Sequence, residues 1–355
     1  MKKSFILSIV FSLFFITSCD TDKGDKKEDG PEFDQSAMLS NFSENIVLPG
    51  FENLTLQTQE LGLAADSFGL EKNQRTLDVL QAQFKYTYMA WQQVSHFEFG
   101  PSDAAGIRSN VNIFPTNTTL IEQNIQNGNA ILDALENKAA KGFPALDYLI
   151  HKDNDSALLV AFSDTKRTDY LLKVVEDLSS KINKVSTNWS AYKSTFKNAT
   201  GTDVGSSAGM LINALNQHYE RFFRDGKIGI PLGVRSSGTA RPQDSEAFYA
   251  GFSFDLIAAN YMAMKELYLG ADGIGLDDYL SNAGGEDIDE FIKSQMVIIE
   301  SKLNQFNTTM PQAIQNQNSE LLSTYQEIQK LIVYWKVDMP SRLGILITYQ
   351  DNDGD

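Results

Sequence analysis

Apolar residues return at intervals of three and four through most of this chain. Leu77, Leu80, Phe84, Tyr88 and Trp91 form one such stripe, and Leu171, Val174, Val175, Leu178, Ile182, Val185 and Trp189 a second. A third runs Leu211, Ala214, Leu215, His218, Tyr219 and Phe222, and a fourth Leu321, Leu322, Tyr325, Ile328, Leu331, Ile332 and Trp335. That spacing puts each set on one face of an α-helix. Thr119 with Glu122, ahead of Ile125, Ile131, Leu132 and Leu135, predicts a capping box opening a further helix. Alternation of period two is nearly absent. The stretches 145–230 and 243–310 contain no proline, which suits long helices. The pattern predicts an all-α protein of antiparallel packed helices. The segment from Lys197 to Thr202 divides it into two helical halves, 36–200 and 201–355.

The N-terminus follows a different pattern. Lys2 and Lys3 precede an almost unbroken apolar run from Phe5 to Ile16, too short for a spanning helix of about 20 residues. It ends in Ile16-Thr17-Ser18-Cys19, which resembles the lipobox of bacterial lipoproteins. The resemblance implies a signal peptide over 1–18, cleavage before Cys19, and diacylation of its thiol. Cys19 is the only cysteine of the chain, so no internal disulfide can form. Residues 19–35 follow as a tether: positions 20–34 carry seven acids, three lysines, two glycines and a proline, too little apolar surface to fold. Acids directly after the cysteine resemble the surface-export signals of Bacteroidetes-type lipoproteins; a spacer without any address is the alternative.

Charge narrows the partners. The chain carries a formal −16, and loss of Lys2 and Lys3 with the signal would leave about −18. Such a protein repels phosphate backbones, so nucleic acid is excluded as a partner. The expected attachment to the membrane is the lipid anchor at an outer membrane, on its periplasmic face or at the cell surface.

Several segments resemble the imelysin-like family of bacterial exported proteins. They are Trp91-Gln92-Gln93-Val94 leading to Phe97-Glu98-Phe99-Gly100-Pro101, Gly142 to Ile150, Ala247 to Gly270, and Ser341 to Tyr349. The resemblance covers about residues 36–355 and implies an all-α fold of two helical-bundle halves and a part in iron uptake. It also places the G-x-H-x-x-E signature at Gly142, where Pro144 stands for the histidine and Asp147 for the glutamate. A histidine and a carboxylate three residues apart share a helix face and suit iron or zinc; proline offers no such ligand.

Two readings of that segment stand side by side. In the first, Gly142-Phe143-Pro144 opens a helix and Asp147 serves its dipole. In the second, an altered ligand or metal site survives: Asp147 with His151 on the same face, joined by His96 and Glu98 from elsewhere. His218 reads as a hydrogen-bonded core residue. Gly226 to Gly233 reads as an extended crossing. The loop after it, with Arg235, Ser236, Ser237 and Arg241, is a candidate anion-binding loop, unless both arginines pair with surface acids. Asp351 to Asp355 resembles half a calcium loop without its closing glutamate.

With no His-Glu-x-x-His and no Gly-x-Ser-x-Gly in the chain, the expected function is a non-catalytic binding or accessory lipoprotein. The resemblance implies iron or haem as its ligand, weakly held, and an outer-membrane iron-transport receptor as a partner. A scaffold that has lost the site, and a metallopeptidase, are the alternatives.

Overall fold

In the computed structural model, residues 33–349 are described, and all regular structure among them is helical. Cys19, the tether up to residue 32 and the Asp351–Asp355 segment lie outside the described residues. None of the described helices is long and apolar enough to cross a membrane.

The first stripe does what its spacing predicts. Leu48–Leu70 and Gln74–Val94 form a helical hairpin, and the second helix opens with a capping box between Asn73 and Thr76. Leu77, Leu80, Phe84, Tyr88 and Trp91 are all buried. The second stripe lies along a 34-residue helix, Thr165–Asn198, which packs against Leu48–Leu70. A turn at 199–206 then leads to Ser207–Gln217. The Ser253–Leu269 helix closes back onto Gln74–Val94, and Glu286–Leu303 pairs with Asn318–Val333. Residues from Asp34 onward form one unit, so the two halves share a core.

Four local expectations are corrected. The Thr118–Asn127 helix is capped by Asn117, whose side chain accepts from the Leu120 amide at 3.0 Å; Glu122 instead meets Arg167, Tyr148 and Lys152. That helix stops at Gly128 in the left-handed region, so Ile131 and Leu135 stand exposed beyond it. Leu322 faces solvent on its helix, one position off the buried stripe. The glycine-rich segment is helical rather than extended. His218–Gly229 is a twelve-residue π-helix continuing into Ile230–Leu232, and Gly233 (φ 92°) ends it.

The π-helix also changes which aromatic side chain is buried. Its turn is wider than an α-turn, so Phe223 rather than Phe222 follows Tyr219 into the core. Phe223 is fully buried, whereas Phe222 is half-buried.

Candidate functional site

The signature segment is a helix, Gly142–His151. Gly142 has φ +72°, and a Cβ there would lie 2.1 Å from the Val111 carbonyl oxygen, so no larger residue fits. Pro144 occupies the first turn, where a missing N–H leaves no intrahelical bond unmade. Asp147 lies beyond that turn, too far along for the dipole role expected of it. Its carboxylate instead accepts the backbone amides of Tyr249 (3.0 Å) and Ala250 (2.8 Å), tying the first half to a loop of the second. Burial pushes its pKa up to about 7, against the pull of those two amides.

His151 Nδ1 lies 3.7 Å from Asp147, and burial lowers the imidazole to about 4. His96 and Glu98 do not join this pair. His96 is buried against Phe97, with neither ring nitrogen hydrogen-bonded, and burial lowers it to about 3. Glu98 holds Arg108 at 2.6 Å. Among the described residues no group of three or more His, Cys, Asp or Glu side chains assembles around a metal position. The donor set beside Asp147 therefore does not fit a bare metal ion.

A cavity of about 800 Å³ opens where the halves meet, between the 98–115 segment and the 221–244 segment. Its aromatic and aliphatic wall is Ile113, Phe114, Pro115, Phe222 and Ile230. Its charged lining is Arg108, Arg221, Arg235 and Arg241 with Glu98, Asp103 and Asp244. Of the candidate anion loop, Arg235, Ser236 and Arg241 line the cavity, while Ser237 is exposed and does not. Arg235 is clamped by the buried Asp225, through Nε at 3.0 Å and Nη2 at 2.7 Å, and Arg241 is ion-paired to Asp244. Both arginines thus pair with acids, buried ones rather than the surface acids named as the alternative, and both still face the cavity.

Behind the cavity runs a buried polar chain. Arg108 stacks on Phe222, its guanidinium carbon 4.0 Å from the ring centre, and donates to the Ser95 carbonyl and to His218 Nδ1. The other ring nitrogen, Nε2, meets Asn260 Oδ1 at 2.8 Å, while the Asn260 amide nitrogen donates to the Gln92 carbonyl and the Ser95 hydroxyl. That pattern puts the His218 proton on Nε2 and leaves Nδ1 to accept from Arg108. Burial, then the neighbouring Arg108 charge, hold His218 well below its usual pKa.

Gln92 continues the chain to a buried ion pair, Lys227 with Glu246, which Asn112 joins at 2.7 Å. Burial would raise the Glu246 carboxyl, but the Lys227 charge and its hydrogen bonds hold it below the usual range.

The family model for imelysin (peptidase M75) matches residues 47–333. The chain belongs to the imelysin family. A curated relative, iron-regulated protein A of Synechococcus elongatus, is 22% identical over 289 residues, covering 78% of this chain and 74% of the relative. A crystal structure of a putative iron-regulated protein A precursor from Parabacteroides distasonis superposes with a TM-score of 0.74 at 15% identity, over 90% of this chain and 97% of the other. An imelysin-like protein from Psychrobacter arcticum gives 0.71 at 16% identity, over 89% and 97%. These likenesses establish the all-α imelysin fold.

Sequence reasoning missed Arg108, Arg221 and Phe222 of this imelysin cavity, and the Lys227–Glu246 pair behind it. A compositional signal was present: four of the chain's eight arginines fall between 221 and 241. Arg108 carried no comparable mark, since it reaches the cavity through tertiary packing.

Proposed function

We propose that this imelysin-family chain is a non-catalytic binding protein for iron acquisition at the cell envelope, anchored by a lipid on Cys19. Its ligand seats in the cavity between the helical halves. The observation that carries this reading is the cavity itself, about 800 Å³ in size, which falls within the range of small-molecule sites. The iron-regulated relative supports the choice of cargo, and the apolar run ending in Cys19 supports the anchor. An outer-membrane iron-transport receptor is the partner such a protein would serve.

Two measurements test this. Transcript level and growth of a deletion strain are compared with and without an iron chelator; expression should rise and the deletion should grow poorly only under limitation. Indifference of both to iron would remove the cargo assignment. Cell fractionation should find the parent with membranes and Cys19→Ser in the soluble fraction; an unchanged distribution would remove the anchor.

A further inference from the structure

Half of the chain's eight arginines line this one cavity, and no lysine does. Arginine offers a planar fork matched to carboxylates, which a lysine ammonium does not. The enrichment is also against the trend of the molecule, since the chain as a whole carries −16. Three acids, Glu98, Asp103 and Asp244, share the lining with the arginines. A compact, densely charged anion such as phosphate would sit close to those carboxylates; a ligand that combines carboxylates with a cation suits a lining of both signs. Phe114, Pro115 and Phe222 add apolar surface for the body of an organic molecule.

We infer that the cavity takes a small organic polycarboxylate, and that iron enters it as a carboxylate chelate rather than as a bare ion. The second half of this inference rests on the iron reading above; the first half rests on the four arginines and on the apolar wall, which an inorganic anion would leave unused. Arg241 is the residue placed to take the ligand. Its side chain is 52% exposed, and Asp244, three residues on, is its ion-pair partner. It stands on a loop bounded by Gly233 in the left-handed region; Arg235 shares that loop but is held by two hydrogen bonds to the buried Asp225, and Arg108 is held by Glu98, the Ser95 carbonyl and His218. Of these three, Arg241 is therefore the guanidinium that can turn to a carboxylate with the least disturbance, while Arg108 and Arg235 present a preset surface behind it.

The test is calorimetric titration of the full chain in detergent with ferric citrate, citrate alone, ferrous ions under anaerobic conditions, and inorganic phosphate. Ferric citrate should bind saturably at one per chain. Arg241→Ala should weaken it at least tenfold, and Arg241→Lys should recover only part of the loss, with unchanged helical content and melting temperature in both. If citrate alone binds as tightly as ferric citrate and with the same dependence on Arg241, the polycarboxylate site stands and the iron reading falls. If ferrous ions bind as tightly as the chelate and Arg241→Ala changes nothing, iron binding stands and the polycarboxylate inference is overturned. Preference for phosphate, or no binding by any probe, overturns it as well.

Discussion

His96 is a histidine that its surroundings keep uncharged. Neither ring nitrogen is hydrogen-bonded and the side chain is buried, so its pKa in the folded protein falls to about 3. In the unfolded chain it titrates near 6.5, so between those values the unfolded state binds more protons. Stability associated with His96 is intact above about pH 6.5 and is lost as pH falls toward 3, at about 1.4 kcal/mol per pH unit. Asp147 acts in the opposite sense: its raised pKa makes the fold lose stability as pH rises from about 4 to about 7. Urea melts of His96→Phe against the parent at several pH values should show a shallower loss on the acid side. Identical slopes would mean that His96 is not the buried neutral group described above. None of this was legible from the residue itself. His96 was legible as a candidate ligand, because a histidine two residues from a carboxylate has that chemistry; its isolation depends on Phe97 and on the packing around it. Asp147 was legible as a carboxylate at the signature, but its actual partners are main-chain amides a hundred residues away, which no side-chain pattern records.

Helix periodicity holds along Thr165–Asn198, where all seven stripe residues are buried, and along Asn318–Val333 except at Leu322. It failed at the π-helix, because widening a helix leaves no mark in a hydrophobic pattern read at 3.6 residues per turn. The prediction that belongs to this element contrasts two neighbouring rings. Phe223→Ala removes a fully buried ring and should cost about 3–5 kcal/mol in chemical denaturation. Phe222→Ala should cost less than half as much, while altering ligand binding through loss of the surface on which Arg108 stacks. Equal costs for the two would show that the π-register assigned to His218–Gly229 is wrong. Charged residues along this one helix supply much of the inner polar structure: Glu220 meets Lys336, Arg224 donates to Gln329, Asp225 accepts from Tyr325, and Lys227 meets Glu246.

At the scale of the molecule, the all-α class was legible because long apolar stripes leave little else to form. The joint between the halves was not, since it is made of polar side chains paired over long sequence distances. The Lys227–Glu246 pair lies at its centre. Lys227→Met strands the Glu246 carboxylate in the interior and should destabilise the fold by about 3–5 kcal/mol, whereas Lys227→Met with Glu246→Gln should recover most of that. A double variant no more stable than the single would mean that the two charges do not act as a pair. The same joint governs how anything enters or leaves. Parting the halves like a clamshell would pull Glu246 from Asn112 and Gln92, and Asp147 from the amides of Tyr249 and Ala250, all at once. Exchange is therefore expected at the rim, which Arg235, Ser236 and Arg241 of the 233–241 loop help to line, and a cross-link between that loop and the 98–115 segment should slow it while leaving the rest of the body as it is.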